Sequence, residues 1–160
     1  MTILNFGTRK RECAENILAE ETNLIDELMH ESKWSGALSI HTSGLNKSTF
    51  VYKLYHEEYD DCYIGCTTHW SSRKTKIIGV FNNEGNATIH SGGGASDHPG
   101  ARKMYNIDSN LDNWKMKVML IDFADVPFDQ SHRELIIRQI ETYIIQEENP
   151  SLNSDGMAGR

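Results

Sequence analysis

The chain of 160 residues has little cysteine, no long apolar run and no excess of positive charge. Each shortage excludes something. Three cysteines, Cys13, Cys62 and Cys66, are an odd set without framework spacing, so a disulfide-stapled scaffold is excluded and a reducing compartment is expected. No apolar run reaches the ~18 residues that suggest a membrane span. Residues 1–11 hold neither a long apolar stretch nor a cleavage-like site, so no secretory signal is expected. Sixteen basic against 23 acidic residues give a formal charge of −7. That balance argues against a chain that coats a polyanion all over, yet it allows a confined basic cleft.

What is present is ordinary for a globular protein. Apolar residues make up 38% and charged residues 24%, which excludes disordered, collagenous and coiled-coil compositions. The length suggests one domain, large enough to hide ~70% of the surface of its unfolded chain.

The hydrophobic pattern divides the chain. Over residues 10–31, Ile17, Leu18, Leu24, Ile25, Leu28 and Met29 recur at three- and four-residue steps, which predicts a helix. The segment 1–46 reads as a helical extension, either packed on the main domain or serving as a dimerisation arm. Residues 50–55 and 62–67 are rich in aromatic and β-branched residues and predict two paired strands. A short helix is expected over 69–76, then a second hairpin over 77–90 and a loop over 91–100. Gly92, Gly93 and Gly94 suit a linker or a flap, but not a phosphate cradle, because no Lys-Ser/Thr helix start follows. A short helix over 101–108 and a strand over 114–123 come next. Ser131 and Glu134 have capping-box spacing and predict a helix that ends near Glu148, ahead of Pro150. The last residues, 154–160, read as a tail.

The chemistry-bearing set is Tyr52, Tyr63-Ile64-Gly65, Arg73, Glu141 and Asn153, in that order. Taken singly, none is specific. As an ordered set they resemble the GIY-YIG nuclease superfamily. Tyr63-Ile64-Gly65 matches the second half of that family's signature. Arg73 follows Tyr63 by ten residues, and Glu141 precedes Asn153 by twelve. Lys103-Met104-Tyr105-Asn106 and Trp114-Lys115-Met116-Lys117-Val118 are similar to the family's later helix and third strand. The resemblance covers residues 48–153. Two positions depart from it. Phe50-Val51-Tyr52 stands for Gly-Ile-Tyr, keeping only the tyrosine, and no histidine follows Arg73 within a helical turn. Lys74, Lys76, His90 and His98 are the candidates to fill that role.

The resemblance implies an α/β (α+β) domain over 47–153: a small three-stranded antiparallel sheet flanked by helices, here with the amino-terminal extension and an inserted hairpin. It implies a metal-dependent endonuclease acting on DNA, in the cytoplasm of a bacterial cell or phage-infected host. Tyr52, Tyr63, Arg73 and Glu141 would be catalytic, and Gly65 and Asn153 structural. Chemistry agrees. Arginine forks onto phosphate oxygens and stabilises charge as it develops. Mg²⁺, for which Mn²⁺ can substitute, needs only one or two protein carboxylates, and Glu141 supplies one. Glu134, seven residues earlier on nearly the same helix face, is the reserve ligand. A phenol is a poor base at neutral pH, so Tyr52 is expected to contact the attacking water, with its part in proton transfer open. Lys74, Lys76, Arg102, Lys103, Lys115 and Lys117 outnumber the nearby acids Glu84, Asp97, Asp108 and Asp112, and predict a DNA-binding cleft. The alternative is a catalytically inactive nucleic-acid-binding or protein-interaction module on the same fold.

Overall fold

The computed structural model describes residues 3–5, 34–122 and 129–153. The expected helix over 10–31, any dimer formed through it, and the tail 154–160 lie outside the described residues.

Three long strands form the frame. They are β3 (Thr49–His56), β4 (Cys62–Thr67) and β7 (Trp114–Asp122), all antiparallel, with β3 in the middle. Period-two alternation gives this frame two buried faces. Tyr52 sits opposite Gly65 on one side and Val118 on the other, and Leu54 lies between Tyr63 and Met116. These residues point to one face, with Phe50 and Trp114. Val51, Ile64, Met119 and Ile121 point to the other.

The expected three-stranded sheet is instead five-stranded. Strand β1 (Ile3–Asn5) pairs parallel with β7 at Leu120–Asp122, and β2 (Leu38–Ser39) pairs antiparallel with it at Lys115–Met116. At nine residues, β7 has an edge long enough for both. Pairings of two and three residues leave no periodic signal in a sequence. The described residues of segment 1–46 contribute two strands to the sheet, and Ile40 is buried in the core. Ser35 donates its N–H to Val118 O, and its Oγ accepts from Val118 N–H, both at 3.0 Å.

Two helices cover the first face. Helix α1 (Trp70–Asn82) runs through Ile77–Phe81, where a strand was expected. The run Ile77-Ile78-Gly79-Val80-Phe81 has strand-like propensity, but Trp70, Ile77 and Val80 recur on one helical face and are all buried. Burial against the sheet outweighs the few tenths of a kcal/mol per residue that propensity supplies. The helix ends at Asn82, and past it Gly85, at φ +81°, turns its N–H back to donate to Val80 O at 2.9 Å. The hairpin exists, but further along: β5 (Thr88–Ile89) pairs with β6 (Ala95–Ser96), and the three glycines lie in its turn. Helix α2 (Pro99–Ile107) follows at once.

Helix α3 (Gln130–Glu148) covers the second face with Ile136, Ile137, Ile140, Ile144 and Ile145. Each fully buried isoleucine contributes roughly 1.5–3 kcal/mol. Its cap is Asp129, whose side chain accepts from His132 N–H at 2.8 Å, so the expected Ser131–Glu134 capping box does not form. An aspartate two residues upstream caps as well as a serine. Glu134 is exposed and accepts from Gln130 Nε2 at 3.2 Å. No described helix is long and apolar enough to cross a membrane.

Candidate active site

The site builds outward from β4, the edge strand. Its outward N–H groups at Cys62 and Ile64 are taken by the chain end. Ser151 Oγ accepts from Cys62 N–H at 3.2 Å. Asn153 accepts from Ile64 N–H and donates to Ile64 O, each at 2.8 Å. The structural part expected of Asn153 is thus a two-pronged clamp on the edge. The clamp leaves the Cys66 end of β4 to α1 and α3.

Two phenol rings lie against glycines on the α1/α2 face. A Cβ at Gly65 would stand 2.5 Å from the Tyr52 hydroxyl, and one at Gly100 would stand 2.6 Å from the Tyr63 ring. Only hydrogen at these two positions lets the rings pack. Gly65 belongs to the expected motif; Gly100, at the start of α2, was not anticipated. The two ring centroids are 6.3 Å apart. Both phenols are buried, at 1% and 4% exposure. Burial, reinforced by their mutual repulsion, holds Tyr52 well above its ordinary pKa of 10, with Arg73 opposing. Burial and then the Glu141 charge raise Tyr63 likewise.

His98, one of the four candidates named from the sequence, is the one that the structure places against the phenols. It is fully buried, its Nε2 lies 3.2 Å from the Tyr52 hydroxyl, and its ring meets the Tyr63 ring edge-on at 5.1 Å. Its Nδ1 caps α2 by accepting Ala101 N–H at 2.9 Å. Burial first, then the charge of Arg73 and more weakly that of Lys76, drive its pKa down to about 3. His98 was one of four candidates from sequence. The signal that singles it out is His98-Pro99, because proline at the first helical position marks the preceding residue as a cap.

Arg73 lies one turn into α1 and is partly exposed. Its charge acts on Tyr52, Tyr63, Cys66, His98 and Glu141 together. Glu141 comes from α3, the helix on the opposite face, and approaches the Cys66 end of β4. It is fully buried, and neither carboxylate oxygen completes a hydrogen bond. Burial lifts its pKa to about 7. The Cys66 thiol and backbone N–H lean toward it and oppose the rise, as do Arg73 and then Arg138. Arg138, one turn before Glu141, had no signal in the sequence beyond that spacing. The thiol of Cys66 is itself raised by burial and by Glu141.

Tyr52, Tyr63 and Arg73 thus belong to the α1/α2 side of the sheet and Glu141 to the α3 side, and the Glu141 charge still acts on both phenols. The expected basic cleft does not hold together as one surface. Lys74 and Lys76 stand on α1, and Arg102 and Lys103 on α2. Arg102 pairs with Asp97 at 2.9 Å, and Lys103 donates to Leu152 O at 3.2 Å. Lys115 and Lys117 lie on the opposite face. Lys115 pairs with Glu57 at 3.6 Å, and Lys117 sits over the Tyr55 ring at 5.4 Å. Strand alternation forces this split, since their neighbours Trp114, Met116 and Val118 fill the first face. Among the described residues, no three His, Cys, Asp or Glu side chains converge as a metal cage. Of the four residues, Glu141 is the one that could ligate a hard cation: a buried carboxylate neither of whose oxygens has a hydrogen-bond partner. No protein-family model, curated protein or solved structure matches this chain.

Proposed function

We propose that this protein is a metal-dependent endonuclease that hydrolyses phosphodiester bonds in DNA. The observation that supports the reading is that Arg73 and Glu141, from helices on the two sides of the sheet, both act electrostatically on Tyr52 and Tyr63 from its two adjacent strands. Arg73, the most exposed of the four, grips non-bridging phosphate oxygens and offsets charge in the transition state. Glu141 would hold Mg²⁺, and the bound ion would supply Lewis-acid stabilisation of charge on the phosphoryl and leaving oxygens. Tyr52 and Tyr63, kept protonated by burial, orient the attacking water and the phosphate through their hydroxyls. The turn of the β5–β6 hairpin is open: positions 92, 93 and 94 have nothing within 4 Å of where a Cβ would be. In this reading it reaches into a DNA groove.

A non-cleaving nucleic-acid-binding or interaction module is the second reading. The closure of the site favours it, since Tyr52 and Glu141 are both almost wholly buried.

A supercoiled-plasmid assay with and without Mg²⁺, run on the protein and on Glu141→Ala, decides between the two. Nicking that needs both the metal and Glu141 supports the enzyme. Retention of DNA without nicking supports the binding module, and neither result directs attention to a protein partner.

A further inference from the structure

The hydrogen bonds around His98 have a direction. An imidazole that accepts at Nδ1 while neutral must carry its proton on Nε2. Nδ1 accepts the Ala101 N–H at 2.9 Å, a bond that also satisfies a free donor in the first turn of α2. The proton on Nε2 then faces the Tyr52 oxygen at 3.2 Å. With that oxygen receiving a proton, the Tyr52 hydroxyl hydrogen must point elsewhere. The ring has no freedom to turn. It is fully buried, and the Tyr63 ring stands against it.

We propose that His98 is a fixed hydrogen-bond donor to Tyr52, a positioning residue that aims the phenol O–H at the incoming oxygen and does not itself act as a base. Its catalytic consequence rests on the nuclease reading; its tautomer does not. For Nε2 to take a proton from Tyr52, a proton would first have to leave it, and Nδ1 is blocked by the helix cap. The charged and titratable groups around the pair agree with this direction. Arg73 and Lys76 on α1 disfavour an imidazolium. Burial first, then Tyr63 and more weakly Cys66 on β4 and Glu141 on α3, disfavour a tyrosinate and outweigh Arg73, which favours one. Neutral imidazole donating to neutral phenol is the arrangement that all of them permit.

The test is ¹⁵N NMR of the ring nitrogens of His98 in the full chain from pH 5 to 8. The expected result is a protonated Nε2 and bare Nδ1 throughout, with no titration. A proton on Nδ1, or a titration inside that range, overturns the proposal. The kinetic companion is His98→Asn, which keeps an oxygen for the Ala101 N–H, and with it the cap, but loses the donor to Tyr52. Nicking is expected to fall about tenfold, the scale of one hydrogen bond, with the pH profile unshifted. His98→Gln, long enough to reach Tyr52 with an N–H, is expected to recover part of that loss. An unchanged rate in the asparagine variant, or a displaced acid limb, overturns the proposal. If the protein nicks no DNA at all, the nuclease reading fails, and the NMR result still decides the tautomer.

Discussion

The two faces of the sheet are built from different chemistry. Beneath α3 the core is aliphatic: Val51, Ile64, Met119, Ile121 and five isoleucines. Beneath α1 and α2 it is aromatic and threaded with polar atoms: Phe50, Tyr52, Tyr63, Trp70 and Trp114, with His98 among them. An aliphatic layer needs only volume and pattern, and tolerates exchange within those limits. An aromatic layer with hydroxyls and an imidazole must satisfy or direct each polar atom. The first face therefore carries the chemistry and the second carries the fold. Glu141 is the exception, a fully buried carboxylate on the helix that carries the isoleucines.

Five measurements break or sharpen that contrast. The largest effect is expected from the exception. Glu141→Gln should lower metal-dependent nicking by roughly 10³-fold, the loss of several kcal/mol of charge stabilisation. It should also stabilise the metal-free protein. The carboxyl titrates near 7 when folded, above its ordinary 4.5. Its cost is absent below pH 4.5 and complete above about pH 7, so urea unfolding at pH 8 should show a gain of roughly 2–3 kcal/mol. A variant less stable than its parent at pH 8 would show that Glu141 is a structural member of the aliphatic layer.

Arg73→Ala should reduce turnover by ~10²–10³ with little change in stability, as expected for one transition-state donor. An unaltered rate removes it from the site. On the other face the order reverses. Ile140→Ala should cost about 3 kcal/mol, while the folded fraction nicks at the parental rate; a specific loss of activity would deny the division of labour. Gly65→Ala should cost about 1–3 kcal/mol through overpacking against the Tyr52 ring. Parental stability would mean that the ring yields freely.

The smallest effect is a slope. His98, lowered to about 3, contributes stability that is full above pH 6.5 and lost as pH falls toward 3. Glu141, raised to about 7, contributes stability lost as pH rises from 4.5. Between pH 4.5 and 6.5 the two oppose, each at up to about 1.4 kcal/mol per pH unit. The parent's unfolding free energy should be nearly flat there, rising with pH in Glu141→Gln and falling in His98→Asn. Parallel curves for all three proteins would refute the assignment of these two groups.

The long strands and the last helix were legible because each repeats a period over six residues or more. Helix α1 was half legible. Its second half is β-branched, and only the sheet beneath it makes the helical spacing of Trp70, Ile77 and Val80 count. Strands β1 and β2 were illegible, since a two- or three-residue pairing exists only because β7 has a free edge. In the site, Tyr52, Tyr63, Arg73 and Glu141 could be singled out by order and spacing. Gly100, Arg138 and the part taken by His98 could not, because proximity across helices leaves no local pattern. The grouping of Lys115 and Lys117 with the α1 cations failed for a related reason: neighbours in a charge count can stand on opposite sides of a strand.

By itself the sequence determined the local periods of the long strands and of the last helix, and with them that these segments have a buried face. Those depend on the side chains of neighbouring residues along one backbone. Only the tertiary structure decided that two phenols, an imidazole and a guanidinium share one side of the sheet, and that a carboxylate from the other side acts on both phenols. Their mutual burial and charge, which set every shifted pKa in the site, arise between residues up to 89 positions apart, as from Tyr52 to Glu141.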